Sequence, residues 1–288
     1  MSLILSSIIV LGGVGVLSAA VLYFVSKRFH VAEEPAVALI EAELPGANCG
    51  ACGFSGCHDF AVNCASAVSL DGFNCPGGGE KAMSAIARIK GVDAVASRSM
   101  VAVIRCNGTC ENRPVKSYYD GARSCAILSM VAAGTTDCAY GCLGEGDCVE
   151  ACNWNAIKMN PLTGMPEIDT DLCTGCGVCA ARCPRSLIEL RPKGPRGMRV
   201  YVACVNREKG AAAMKECKVS CIACGKCARS CAHDAIRVEN NLAYIDFEKC
   251  KLCRKCVDQC PTHAIHAVNF PVLKPKTEVP VGTLEDNR

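Results

Sequence analysis

Apolar residues run without a charge from Leu3 to Val25, a stretch of 23 positions. A helix of this length, at 1.5 Å per residue, spans a hydrocarbon core of about 30 Å. The pattern therefore predicts one transmembrane helix, in an anchor at residues 1–28. A cleavable signal would need a positive start and a cleavage site, and the stretch has neither. Lys27, Arg28 and His30 follow it, so the positive-inside rule predicts a single pass with the remaining domains on the cytoplasmic side.

A second interpretation of this stretch is a dinucleotide-binding turn. Gly13, Gly15 and Ser18 follow an apolar run, and Glu33 lies near the distance expected for a ribose contact. Charges appear before a second strand could form, so we expect no flavin or nucleotide on this chain. Gly15 and Ala19, four residues apart, instead favour close packing on a partner's helix.

Shorter periodic segments follow the anchor. Residues 36–43 and 80–90 are predicted to be helices in a small domain at residues 29–97. The apolar run MVAVIRCNG at residues 100–108 resembles MRVYVACVN at residues 198–206, and each leads to a cysteine. The proline-containing end, residues 271–288, is predicted to be a mobile tail.

The repeat extends to the cysteines. Intervals of three, five and three residues separate one set of four cysteines, Cys138, Cys142, Cys148 and Cys152, and the same intervals separate a second set, Cys217, Cys221, Cys227 and Cys231. Apolar pairs after each cysteine run predict a short helix that turns into a strand, at Ala156-Ile157, Leu187-Ile188, Ala235-Ile236 and Ala264-Ile265. Further strands are predicted at residues 165–169 and 241–246. We therefore expect two homologous ferredoxin-like modules, at residues 98–197, with extra cysteines, and at residues 198–270.

The predicted fold is α+β: an N-terminal transmembrane helix, a small four-iron cluster domain and two tandem bacterial ferredoxin-like modules for two [4Fe-4S] clusters each. The chain has 26 cysteines among 288 residues. Two complete CxxCxxCxxxCP runs begin at Cys173 and Cys250, and a third run, from Cys221, carries Ala232 in place of the proline. Disulfides are a poor fit to such close runs. Zinc sites pair cysteines two plus two and do not use the third cysteine or the trailing proline.

In two-cluster ferredoxins the fourth cysteine of each run ligates the other cluster. Glu145 stands where the second run has Cys224, so Cys138 is the obvious substitute ligand. The expected ligand sets of five clusters are Cys49, Cys52, Cys57 and Cys75; Cys138, Cys142, Cys148 and Cys183; Cys152, Cys173, Cys176 and Cys179; Cys221, Cys224, Cys227 and Cys260; and Cys231, Cys250, Cys253 and Cys256.

Six cysteines remain outside these sets. One hypothesis places Cys106, Cys110 and Cys125, with Cys204 or Cys217, around a sixth centre. The other treats several of them as free thiols near the clusters. Cys64 fits no pattern and is expected to be a small buried apolar residue.

Charge is unevenly distributed although the net charge is +3. Residues 134–184 contain two basic and seven acidic side chains, whereas residues 185–260 contain sixteen basic and eight acidic ones. The basic half could offset cluster charge, bind an acidic redox partner or bind nucleic acid. With 5% aromatic residues and no helix-turn-helix pattern, nucleic acid is not expected as a partner. Docking of an acidic redox partner is predicted around Lys249, Lys251, Arg254 and Lys255.

No catalytic residue is expected. The scattered histidines accompany no nucleophile or paired carboxylates, so the chemistry should be electron transfer alone, with substrate conversion on other chains.

The anchor, the motif LPGANCGACGFSGC and the serial ferredoxin runs together resemble the B subunit of the Rnf electron-transport complex, in the many-cluster form of anaerobic bacteria. The resemblance implies an ion pump that carries electrons from reduced ferredoxin to NAD and moves sodium ions or protons. It also implies that this chain accepts electrons from ferredoxin and relays them to flavin-bearing subunits, beside other membrane subunits. Asn153 and Ala232 depart from the pattern, because they replace the expected prolines. A polyferredoxin of a hydrogenase or heterodisulfide reductase is the alternative.

Overall fold

The computed structural model describes residues 2–28, 34–93, 98–132 and 134–271. His30, Glu33 and the predicted tail after residue 271 lie outside the described residues. Helix α1, Ser2–Arg28, contains the predicted membrane-spanning stretch. Within the described residues it is the one helix that is long and apolar enough to cross a membrane, over Ser7–Arg28. Its large apolar side chains are exposed, as a lipid-facing helix requires.

Three helices form the N-terminal domain: α2, Pro35–Glu43; α3, Cys57–Ser66; and α4, Gly79–Lys90. Two of them, α2 and α4, confirm the predicted helices, whereas α3 was not predicted. The core of this domain combines aliphatic side chains of α2 and α4 with three phenylalanine rings. The rings of Phe54, Phe60 and Phe73 lie 5.3–5.8 Å apart. This core is the support on which the first cysteine loop rests.

Lys90, the last residue of α4, fastens that helix to the end of α3. Its ammonium group donates hydrogen bonds to the backbone carbonyl oxygens of Cys64, Ala65 and Ala67, with 3.0 Å to Ala65. These carbonyls lie at the C-terminal end of α3, where they have no partner inside the helix and where the helix dipole attracts a cation.

The rest of the chain forms short elements around the later cysteine runs. Four two-stranded antiparallel sheets pair β1, Met100–Ile104, with β4, Ile188–Pro192; β2, Ile157–Asn160, with β3, Met165–Ile168; β5, Arg199–Val202, with β8, Ile265–Val268; and β6, Ile236–Glu239, with β7, Leu242–Ile245. The helices are α5, Cys125–Val131; α6, Asp147–Glu150; α7, Val178–Arg182; α8, Gly210–Glu216; α9, Lys226–Arg229; and α10, Lys255–Asp258.

The strand pairing is the same in the two predicted modules. In each, the first and last strands pair (β1 with β4, β5 with β8), and a hairpin lies between them in sequence (β2 with β3, β6 with β7). Four of these strands, β2, β4, β6 and β8, begin at the isoleucine of an apolar pair that was predicted to lead into a strand. The mixed helix and strand content agrees with the predicted α+β class.

A charged cluster joins the two repeats. Tyr244 of β7 donates a hydrogen bond of 2.6 Å to Glu189 of β4. The guanidinium groups of Arg105 and Arg191 lie 5.1 and 5.2 Å from the Tyr244 ring centre. Arg191, 2% exposed, also donates to the Ile245 carbonyl at 3.0 Å. These hydrogen bonds and cation–π contacts, largely shielded from solvent, favour one relative orientation of the two repeats.

The N-terminal domain meets the first repeat at the single tryptophan of the chain. A Cβ atom on Gly77 would lie 2.8 Å from the Trp154 ring, so glycine is required for this approach. Gly77 is two residues from Cys75 and Trp154 is two residues from Cys152. The contact therefore brings two cysteine sites close to each other.

We expect Lys90→Ala to lower the free energy of local unfolding of α3 by about 1–3 kcal/mol, because three carbonyls lose their donor. Hydrogen exchange of the α3 amides in the full-length protein measures this change. Lys81→Ala, at an exposed position of the same helix, should leave the exchange rates unchanged. Equal protection in the two variants would contradict this role of Lys90.

Candidate iron-sulfur sites

The four later cysteine runs share one backbone conformation. On both sides of the middle position of each run, the residues adopt positive φ: Gly144 and Gly146, Gly175 and Gly177, Ala223 and Gly225, and Leu252 and Arg254. This conformation turns the chain around the middle side chain before a short helix begins. Three of these middle positions are cysteines and the fourth is Glu145. The structure thus places Glu145 where the other runs have a ligand candidate, as the repeat predicted.

The end of each run is equally regular. The residue three positions after the last cysteine has a φ of 47–52° in all four runs, at Asn155, Ser186, Asp234 and His263. The next backbone N–H donates to the sulfur of that cysteine at Cys152, Cys183 and Cys260, over 3.3–3.4 Å. Asn153 and Ala232 stand where the other two runs have proline. The turn is the same, so proline is not required for it.

Two of the predicted ligand sets each line one cavity. A cavity of about 340 Å³ is lined by Cys221, Cys224, Cys227 and Cys260. A second cavity, of about 310 Å³, is lined by Cys152, Cys173, Cys176 and Cys179. In both, the fourth cysteine comes from a different run, as crossed ligation predicts.

The N-terminal set also converges. Burial raises the pKa of Cys75, and the nearby Cys52, Cys57 and Cys49 raise it further. The Gly78 N–H donates to the Cys75 sulfur at 3.3 Å. Asn48, with a φ of 46°, accepts from the Cys57 N–H at 2.7 Å and starts α3 there. This side-chain bond explains a helix that the loop-like glycine spacing did not reveal.

In the last run, burial raises the pKa of Cys256 to about 12, and Cys250 lies near enough to raise it further. Burial likewise raises the pKa of Cys250, and Cys231 and Cys253 contribute in the same direction. The four predicted members of this set therefore lie together.

The irregular site differs from the predicted one. A cavity of about 440 Å³ is lined by Cys125, Cys142, Cys148 and Cys183, and Cys138 is not part of the lining. Asp147 explains how Cys125 arrives there. Its carboxylate accepts from the Cys125 N–H at 2.6 Å, the Ala126 N–H at 3.1 Å and the Ser124 hydroxyl at 3.0 Å. One side chain of α6 thus holds the start of α5 beside the run that lacks a middle cysteine.

A neighbouring cavity of about 340 Å³ is lined by Cys106, Cys138, Cys204 and Cys217. The structure therefore keeps Cys106 with both Cys204 and Cys217, whereas the hypothesis expected one or the other, and it adds Cys138. It separates Cys110 and Cys125 from this group. Cys110 is exposed, beside the β2–β3 turn, where a Cβ atom on Gly164 would lie 2.8 Å from its sulfur. Cys64 is fully buried in the N-terminal core.

The donor chemistry fits iron-sulfur clusters. Burial raises the pKa of Cys179 to about 12, and Cys176 and Cys173 raise it further. This thiol would release its proton on binding a metal. The buried Thr174 hydroxyl finds no partner among the described residues and lines the same cavity, where a sulfur acceptor would satisfy it. In the described part of the chain, no three His, Cys, Asp or Glu side chains are placed to hold a single metal ion. A cluster separates its ligands further than one zinc ion does.

Exposure differs among the sites. Within the described residues, the exposed cysteines are Cys110, Cys224 and Cys253. The last two belong to the second repeat, and exposed lysines surround them: Lys226, Lys249, Lys251 and Lys255. The Arg254 guanidinium lies 4.9 Å from the Phe270 ring centre and is held beside Cys253. The second repeat therefore presents two ligand candidates at a basic surface.

Models of three iron-sulfur families match the chain. They are described as a putative Fe-S cluster at residues 44–66, a 4Fe-4S dicluster domain at residues 136–187 and a 4Fe-4S binding domain at residues 243–266. Each match includes predicted ligand cysteines. The comparison supports iron-sulfur clusters as the cofactors.

Curated relatives align over most of the chain. The B subunit of the Na⁺-translocating ferredoxin:NAD⁺ oxidoreductase complex of Acetobacterium woodii is 40% identical over 257 residues, which cover 89% of this chain and 75% of that protein. The B subunit of the proton-translocating ferredoxin:NAD⁺ oxidoreductase complex of Clostridium ljungdahlii is 38% identical, covering 93% and 94% of the two chains. The B subunit of the ion-translocating oxidoreductase complex of Methanosarcina acetivorans is 36% identical, covering 92% and 98%.

We expect Cys125→Ala to reduce the iron content of the anaerobically purified full-length chain by about four irons, the content of one cluster. Cys148→Ala should have the same effect, and the double variant should lose no more than either single variant. Iron and acid-labile sulfide determination, with Mössbauer spectroscopy, measures the loss. Cys110→Ala is the matched control and should retain all iron. Full iron content in Cys125→Ala would remove Cys125 from this site.

Proposed function

The chain belongs to the family of B subunits of Rnf-type ion-translocating oxidoreductase complexes, and we propose that it accepts electrons from reduced ferredoxin and passes them to flavin-bearing subunits. The family and the matched domains make it an iron-sulfur electron-relay subunit of such a complex. The observation that carries the proposed direction is the exposure of Cys224 and Cys253 among lysines, since a soluble acidic donor requires an accessible basic surface.

Five ligand sets support this relay. Four are those expected from the spacing, and in the fifth we propose Cys125 in place of Cys138. When bound, the clusters supply one-electron chemistry, at potentials set by hydrogen bonds to sulfur, charge and solvent exposure. The chain's own residues hold the sulfurs through the recurring turns and donate N–H groups to them.

Electron entry is proposed at the second repeat. Lys251 and Lys255 flank the exposed Cys253, and Lys226 lies two residues from the exposed Cys224. The corresponding middle cysteine of the first repeat, Cys176, is partly buried. This difference in access favours the second repeat as the docking face for ferredoxin.

Transfer toward the membrane is proposed to follow the packing of the domains. The buried charged cluster at Tyr244 joins the two repeats, and the contact of Trp154 with Gly77 joins the first repeat to the N-terminal domain. Helix α1 precedes that domain and would cross the inner membrane once. Lys27 and Arg28 at its C-terminal end favour a cytoplasmic location for the cluster domains.

The test uses the full-length chain, purified without oxygen. We expect about 20–24 irons per chain with matching sulfide, and reduction of the clusters on mixing with reduced ferredoxin. Electron paramagnetic resonance and rapid-mixing absorbance follow the transfer. Zinc with little iron, or clusters that never exchange electrons with ferredoxin, would contradict the proposal.

Lys251 and Lys255 form part of the proposed docking face for ferredoxin. Lys251→Glu with Lys255→Glu should slow electron entry from ferredoxin roughly tenfold at low ionic strength, because charge attraction accelerates encounter. The difference should shrink as salt is added. Stopped-flow rates over a series of salt concentrations measure it.

Lys81→Glu with Lys158→Glu, at exposed positions outside the second repeat, is the control for net charge. It should leave the rate near that of the wild type. An unchanged rate and salt dependence in the Lys251 and Lys255 variant would place docking elsewhere.

A further inference from the structure

Four cysteines from both repeats meet at one cavity. Cys106 and Cys138 come from the first repeat, and Cys204 and Cys217 come from the second. It is similar in size to the cavities at the two regular sites. Like those sites, it has four cysteines in its lining. All four sulfurs are free of disulfides.

The repeat gives these cysteines equivalent places. Cys106 follows β1 as Cys204 follows β5. Cys138 and Cys217 each begin a series of cysteines with intervals of three, five and three residues. Each repeat therefore contributes the same pair to the cavity, and the site has the internal symmetry of the repeat. Such symmetry is not expected of leftover thiols.

Buried donors without partners line the same cavity. The Nε of Arg113, whose residue is 7% exposed, and the hydroxyl of Ser220, 1% exposed, have no hydrogen-bond partner among the described residues. A buried donor without a partner destabilises the folded protein. An anionic group in the cavity, with sulfur acceptors, would satisfy both donors. Arg113 would also offset its negative charge.

Other polar groups already point at the sulfurs. The Cys142 N–H donates to the Cys106 sulfur at 3.5 Å, and the Asn206 amide donates to the Cys138 sulfur at 3.6 Å. Asn206 is 1% exposed, and Glu216 fixes its amide at 2.8 Å. Hydrogen bonds of this kind accompany thiolate ligands and stabilise their charge.

We propose that Cys106, Cys138, Cys204 and Cys217 bind one further [4Fe-4S] cluster, shared between the two repeats. The proposal rests on the proposed function in that the chain carries such clusters. Cys110, exposed beside the β2–β3 turn, and Cys64, inside the N-terminal core, are not ligands of this cluster.

The position of the site gives the cluster a role. Cys142, four residues after Cys138, lines the irregular cavity of the first repeat. Cys221, four residues after Cys217, lines a regular cavity of the second. The shared site is therefore a sequence neighbour of both cavities: of one through the segment from Cys138 and of the other through the segment from Cys217. A cluster here would link the redox centres of the two repeats and brace their interface covalently.

The test compares iron content in anaerobically purified full-length variants. Cys138→Ala and Cys217→Ala should each lose about four irons, and the double variant should also lose about four, because both remove the same cluster. Cys125→Ala with Cys138→Ala should lose about eight, since these cysteines belong to different sites. Cys64→Ala and Cys110→Ala are controls and should retain the wild-type content.

The outcomes separate this proposal from the proposed function. If Cys217→Ala keeps all iron, or if the Cys138 and Cys217 double variant loses about eight irons, the shared cluster is overturned. Wild-type protein that holds about 20 irons and exchanges electrons with ferredoxin would in that case still support the relay. Wild-type protein with little iron would overturn both.

A redox titration gives a second readout that does not depend on losing a ligand. Arg113→Gln should make the signal that Cys138→Ala abolishes harder to reduce, because a positive charge favours the more negative reduced state. Arg113→Lys should restore most of the midpoint, and the exposed Arg207→Gln should leave it unchanged. An unaltered midpoint in Arg113→Gln would place this signal away from the cavity.

Discussion

The bond between cysteine sulfur and iron, in the proposed ligand sets, is the interaction on which the two repeats depend. A two-stranded sheet is marginally stable in water by itself, and residues 98–271 are organised around four such sheets. Their apolar cores include the ligand candidates themselves. Cys221, Cys227 and Cys256 pack in one core, and Cys173 and Cys179 in another. We therefore expect binding of clusters and folding of these repeats to be coupled, as in other small metal-dependent domains.

The spacing of the cysteines predicts those features of the fold that depend on local backbone geometry. In the three CxxCxxC runs the residues on both sides of the middle cysteine have positive φ, and glycine supplies half of these positions at low cost. The turns and the short helices follow from that local constraint. Local hydrophobic pattern likewise predicted α1, α2, α4 and the strands that follow each run. These features repeat in the sequence, so each copy supports the others.

Contacts between distant segments could not be predicted in this way. Cys125 reaches its cavity because Asp147, 22 positions later, binds the N–H groups at the start of α5. Helix α3 starts where the Asn48 side chain accepts the Cys57 N–H. Neither bond has a periodic signal. The apolar stretch after Ser124 and Cys125 was the available sign of α5, and Ser124 does cap it.

The irregular run lacks its middle cysteine, and a cysteine from a distant segment lines its cavity instead. Glu145 keeps the backbone conformation of a middle cysteine, so the loop has not changed shape. A carboxylate at that position does not supply a thiolate, and the cavity must take its fourth sulfur from elsewhere. Cys138, the closest unassigned cysteine in sequence, faces the neighbouring cavity with Cys217, its equivalent in the second repeat. If Cys125 is the fourth ligand, as proposed, the repeat symmetry outweighs proximity in sequence. Helix α5, between Cys106 and Cys138 in the first repeat, then supplies the missing sulfur.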